Sequence, residues 1–209
     1  MALNLLEVGA VGDRSEPMIE LCDYITSNSE VNSAIDLFAG NANDNGSFVS
    51  WKLYDICKDV THIEWDFDKA EALKHDFITD NVICDDTHKV IKRWNREKFD
   101  IVFCDNPQWE HEYFKVIPHI KKLINPGGWF IHNVNVRPYG NFTNDSEWGK
   151  NRSEFYELED TTDMDYVDTF GRVKKRLEEA GVDINYGRAF GREICKGHVY
   201  LHFFAWRIK

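Results

Sequence analysis

The sequence predicts an α/β domain built on a seven-stranded, mostly parallel sheet that ends in an antiparallel hairpin. Three observations carry this reading. Short apolar, β-branched or aromatic runs alternate with stretches of helical period, the pattern of parallel strands joined by crossover helices. A length of 209 residues suits one domain, 1–209, with a full core and is short for two. The last two apolar runs are joined by a glycine-containing loop too short to hold a helix, so they must pair antiparallel.

Taken in order, residues 1–30 are an N-terminal helical segment, with residues 17–27 opening on Pro17 in a first turn. The strands follow at 33–39 (SAIDLFA), 60–66 (VTHIEWD), 81–84 (NVIC), 99–104 (FDIVFC) and 129–134 (WFIHNV), then 182–188 and 198–207. Helices are expected at 68–77 behind an acidic cap, at 109–123, and at 167–180, which stops at Gly181. Residues 89–98 (KVIKRWNREK) hold five basic side chains around Trp94; they read as a solvated helix in preference to an RNA-facing patch. Residues 137–165 are acidic, aromatic and irregular, and a connection of that length is expected to be a lid, a binding loop or a disordered insert.

Composition narrows the function classes. Hydrophobic residues at 43% and charged residues at 29% exclude a disordered, collagen-like or coiled-coil chain. The net charge of −11 repels phosphate backbones and anionic membranes, so a nucleic-acid partner is disfavoured unless a local basic patch exists. Five scattered cysteines without a C-x-x-C pair read as reduced, mostly buried thiols, not as zinc ligands. Residues 1–12 lack a basic leader, and no run approaches the roughly 20 apolar residues of a spanning helix. A cytoplasmic protein with no membrane partner is expected.

The chemistry is expected where strands end. The first run closes on Asp36-Leu37-Phe38-Ala39-Gly40, and the loop after the first strand of a parallel sheet lies at the carboxyl edge, where ligands bind. Glycine there lets a ligand come close to the backbone. An acid some 20 residues on commonly takes the two hydroxyls of a ribose; Glu64 and Asp66 compete for that place. Asp85-Asp86 and Asp105 end the next two runs. Acids at four successive strand ends repel one another, which points to a ligand rich in hydroxyl, amine and cationic groups.

With these residues in order, the sequence resembles the class I S-adenosylmethionine-dependent methyltransferases over roughly residues 17–209. The resemblance implies a Rossmann-like sheet with helices on both faces and S-adenosylmethionine as cofactor. Asp36, Phe38, Ala39 and Gly40 match the family's first motif, Glu64 or Asp66 its ribose acid, Asp85 with its neighbour Asp86 the adenine-side acid, and Asp105 the start of its fourth motif. Asn125-Pro126-Gly127-Gly128 resembles the turn before its fifth strand. The chain departs from the family's Gly-x-Gly loop, since Gly40 is followed by Asn41-Ala42-Asn43 and the next glycine is Gly46.

Asp105-Asn106-Pro107-Gln108-Trp109 resembles the Asn-Pro-Pro-aromatic signature of methyltransferases acting on planar amino groups. It implies that Asn106 orients the amino group and that Trp109 stacks on the acceptor. An alignment with small-molecule O-methyltransferases instead makes His111 or His132 the base; it offers no second carboxylate for a metal, so none is expected. His62 and His202 read as structural strand residues. The expected function is methyl transfer to a nitrogen or oxygen nucleophile, foremost of a small-molecule acceptor. A nucleic-acid amino-methyltransferase and a non-catalytic binding protein with a degenerate loop are the alternatives.

Overall fold

The computed structural model describes residues 15–40, 50–77, 81–105, 115–135, 143–162, 164–195 and 199–209. Seven strands, β1 (Ser33–Asp36), β2 (Asp59–Glu64), β3 (Val82–Cys84), β4 (Phe99–Cys104), β5 (Ile124–Asn135), β6 (Ile184–Cys195) and β7 (Val199–Ile208), form one sheet. Its order is β3-β2-β1-β4-β5-β7-β6. The first five pair in parallel, and β7 lies antiparallel between β5 and β6. The expected fold class is therefore the observed one.

Helices cover both faces, because residues alternate sides along each strand and the parallel strands bury apolar residues on both, such as Ala34 and Ile35 of β1 or Ile101 and Val102 of β4. On one face, Ala34, Val60, Ile101, Phe103 and Trp129 pack under α1 (Ser15–Asn28), whose Met18, Leu21, Cys22 and Ile25 recur at helical spacing. A 3-10 turn at Ser50–Asp55 adds Leu53 to that cluster, and α2 (Phe67–Phe77) lays Ala70 and Leu73 on Val82. On the other face, Ile35, Ile63, Val102, Phe130, Phe204 and Trp206 meet α3 (Thr87–Arg93), α4 (Ile120–Leu123), α5 (Glu147–Tyr156) and α6 (Tyr166–Glu179). Cys22 and Cys57 are buried, and burial pushes both thiols up to about 12, which makes them packing groups. No helix among the described residues is long and apolar enough to cross a membrane.

Three expectations are corrected. The Asn125–Gly128 turn lies inside β5: three extra residues bulge between the pairs Phe99↔Ile124 and Ile101↔Trp129, with Gly127 at φ +78°. The glycine-containing loop of the hairpin is shorter than read, since β6 runs on to Cys195 and Gly191 pairs with His202. The acidic insert is folded in its described part. Ser146 caps α5, and Phe155 and Tyr156 are fully buried. Arg176 of α6 donates to the carbonyls of Phe155 and Glu154 at 2.7 and 2.9 Å, and Arg172 to that of Tyr156. These guanidinium groups satisfy the acceptors that a helix end leaves over.

Candidate active site

The register of the parallel strands sets the site. Asp36 closes β1 and aligns with His62 of β2 and Phe103 of β4; Glu64 closes β2 and aligns with Cys84 of β3. Asp85 and Asp105 come one residue after the last residues of β3 and β4. Four acids thus share the carboxyl edge of β3-β2-β1-β4. Asp36, Glu64 and Asp105 are buried there, 1%, 4% and 4% exposed.

The loop after β1 is held from three sides. The Leu37 N–H donates to Phe103 O and the Ala39 N–H to Ile63 O, at 3.0 and 3.1 Å. The buried Thr87 hydroxyl, at the start of α3, donates to Leu37 O. The chain then turns through Gly40 at φ +63°, a conformation glycine adopts without steric cost. Its N–H donates to Glu64 Oε2 at 2.7 Å, and Glu64 Oε1 accepts the Asp66 N–H at 2.8 Å. Phe38 leans on His88, ring centres 5.7 Å apart.

Asp36 sits beneath this loop. Its Oδ2 is 3.2 Å from His62 Nδ1, and His62 Nε2 is 2.9 Å from the Tyr54 hydroxyl. The tautomer with hydrogen on Nδ1 lets the ring donate to the carboxylate and accept from the phenol. Asp36 Oδ1 is buried and has no hydrogen-bond partner among the described residues. A buried carboxylate oxygen without a donor is costly.

The rival acids separate by geometry. Asp66 is turned to α2, where its Oδ1 accepts the N–H groups of Asp68 and Lys69 at 3.0 and 3.1 Å; it is a helix cap. Asp86 caps α3 through the Lys89 N–H, which holds its carboxyl below the usual range. Asp85 is half-exposed and paired with Arg93 at 2.9 Å. Asn106, Trp109 and His111 lie outside the described residues.

His132 has a different setting from the one expected for a base. It is fully buried in β5, its Nδ1 is 3.1 Å from Asn133 O, and the Trp206 indole donates to its Nε2 at 3.0 Å. Phe130 stacks on it and Phe204 meets it edge-on. Burial drives its pKa down to about 3. Both nitrogens are occupied by the core, so His132 is a packing residue. One rim residue escaped the sequence reading: Trp65, next to Glu64, is 75% exposed, an unusual state for an indole. Its place directly after the ribose-acid candidate was the signal available.

No protein-family model and no curated protein matches the sequence. Solved structures do. A Leishmania major S-adenosylmethionine-dependent methyltransferase is 16% identical with a TM-score of 0.61, the match covering 99% of this chain and 78% of that one. A Clostridium acetobutylicum S-adenosylmethionine-dependent methyltransferase is 14% identical, TM-score 0.57, over 92% and 89%. The fold is that of the class I methyltransferases. Trm5b from Pyrococcus abyssi, 16% identical with a TM-score of 0.54, is matched over 96% of this chain and 50% of its own, so the chain spans half of that protein. At these identities the likeness is one of fold alone.

Proposed function

We propose that this chain is an S-adenosylmethionine-dependent methyltransferase acting on a nitrogen or oxygen nucleophile. The observation that carries the reading is Asp36 Oδ1, a buried carboxylate oxygen with no donor among the described residues, next to the loop that ends in Gly40. A carboxylate in that state fits an ammonium group, and Glu64 beside the same loop has acceptor capacity left for ribose hydroxyls, since each of its oxygens takes one N–H here. S-adenosylmethionine, when bound, supplies an electrophilic methyl on a sulfonium. The chain's part is to hold the ammonium at Asp36, to hold the sugar at Glu64, and to orient the acceptor from the segment after Asp105. His62 and Tyr54 keep the Asp36 carboxylate in place. Alignment of nucleophile and methyl in a water-poor site does most of the work in such a transfer.

A second reading, a binding protein that has lost the cofactor, is favoured by one observation: the Gly40 N–H is already bonded to Glu64. Titration calorimetry with S-adenosylmethionine and S-adenosylhomocysteine separates the two. Micromolar binding that weakens about tenfold in Asp36→Asn, equivalent to about 1.4 kcal/mol, supports the transferase. Silence toward both nucleosides leaves the binding protein.

A further inference from the structure

Charge is distributed very unevenly over this chain. Residues 87–98 and 115–123 together hold eight of the 25 lysines and arginines and one of the 36 acids, Glu97. Counting also Asp85 and Asp86, which directly precede α3, the local charge is +5 in a molecule of −11. The fold brings the two segments side by side: Lys122 Nζ donates to Lys92 O at 2.8 Å, and Lys98 Nζ to Lys121 O at 3.1 Å. Burial, followed by the charges of Lys122 and Lys92, lowers the pKa of His119 between them. Among the described residues no carboxylate lies within ion-pair distance of Lys89, Lys92, Arg96, Lys98, Lys121 or Lys122. Asp85, paired with Arg93, and Asp86, beside Lys89, offset part of this charge, and a polyanion would offset the excess that remains.

Beside this face is a cleft of about 220 Å³ lined by Ile83, Val90, Arg93, Trp94, Asn95 and Arg96. The Arg96 guanidinium lies 5.7 Å from the Trp94 ring centre. Asp85 also lines the cleft and would repel a phosphate there. The cleft therefore suits the hydroxyl- and amine-bearing part of a polyanion, while the lysines outside it suit phosphates. Among the described residues, none of the exposed large apolar side chains, Ile19, Trp65, Phe67 and Val167, belongs to this face, whereas a membrane-docking surface pairs basic with apolar groups.

We propose that the α3–α4 face binds single-stranded RNA, with phosphates on Lys89, Lys92, Lys121 and Lys122 and a nucleoside in the Trp94–Arg96 cleft. The ribose 2′-hydroxyl, a donor that the Asp85 and Asn95 oxygens can accept, distinguishes RNA from DNA. The whole-chain charge that disfavours nucleic acid applies less to this face, because most of the 36 acids lie elsewhere and three, Asp85, Asp86 and Glu97, belong to it. The inference stands on charge and shape; the cleft shares Asp85 with the rim described above but none of the residues proposed to hold the ammonium or the sugar.

The test is fluorescence anisotropy with a labelled single-stranded RNA of about 20 nucleotides, the same sequence as DNA, and phosphatidylserine vesicles. RNA is expected to bind, and at roughly −0.7 per phosphate contacted, four contacts give a slope near −3 in log affinity against log salt. The variant Lys89→Glu/Lys92→Glu/Lys121→Glu should lose at least tenfold in RNA affinity with its melting temperature kept. If that variant does not fold, Lys92→Gln/Lys121→Gln decides by a loss of about threefold or more. The proposal is overturned if the wild-type chain ignores RNA, if the folded variant binds it unchanged, or if DNA or vesicles are held as tightly. Failure to bind S-adenosylhomocysteine would sink the transferase and leave this result standing.

Discussion

Two buried histidines on the same sheet make the most instructive comparison. His62, in the parallel half, touches a carboxylate whose second oxygen has no donor among the described residues, and Tyr54 completes the chain. His132, in the antiparallel half, touches an indole, its neighbour's carbonyl and two phenyl rings. Both are 0% exposed. Residue type and burial are equal, so position on the sheet makes the difference. The parallel strands end together at an edge where crossover connections leave polar groups facing a crevice. The long antiparallel strands β6 and β7 instead bring rows of aromatic side chains against β5, and a histidine among them is held as a neutral, satisfied core group.

The largest expected effect breaks the antiparallel half alone. Trp206→Ala removes a fully buried indole stacked on Phe170 at 4.3 Å and leaves His132 Nε2 without its donor. Urea unfolding should show a loss of about 3–5 kcal/mol, with nucleoside affinity of the remaining folded protein unchanged. A drop in affinity as large as the drop in stability would erase the distinction between the halves.

Acid sharpens the comparison next. The His132 pKa lies near 3 in the folded chain against an ordinary value of 6.5. Between those values the unfolded chain binds one proton more, so this contribution to stability is full above 6.5 and is lost as pH falls. The slope is about 1.4 kcal/mol for each pH unit. In His132→Gln that part of the acid limb should flatten by about one proton. A slope identical in the two proteins between pH 6 and 4 would mean that His132 titrates normally in the fold.

How much of this was legible in the sequence follows from the range of the interactions involved. The number of strands, the terminal hairpin and the acids at strand ends depend on local periodicity and on where runs stop, and the sequence displays both. The fate of individual acids is set at a distance. Nothing near Asp36 in sequence announces His62 or Tyr54, and nothing near Gly40 announces that its N–H would meet Glu64 24 positions away. The helix in the acidic insert was obscured because Arg172 and Arg176, its capping partners, lie in another helix. The basic face was visible as a run around Trp94, but its second half, Lys121 and Lys122, joins only in the fold.

The smallest contrast lies within the parallel half, between Glu64 and Asp66, two residues apart. Glu64→Gln keeps one acceptor oxygen and turns the other into a donor, so the Gly40 or the Asp66 N–H loses its partner, at a cost of about 1–2 kcal/mol. The same change removes an acceptor from the proposed ribose site, and calorimetry with S-adenosylhomocysteine should show at least a tenfold weaker complex. Asp66→Ala, by contrast, takes a cap from α2. Thermal or urea melting should report about 1 kcal/mol lost, with affinity altered less than twofold. If the two variants exchange these signatures, Asp66 is the sugar acid, and Glu64 serves only to anchor the loop.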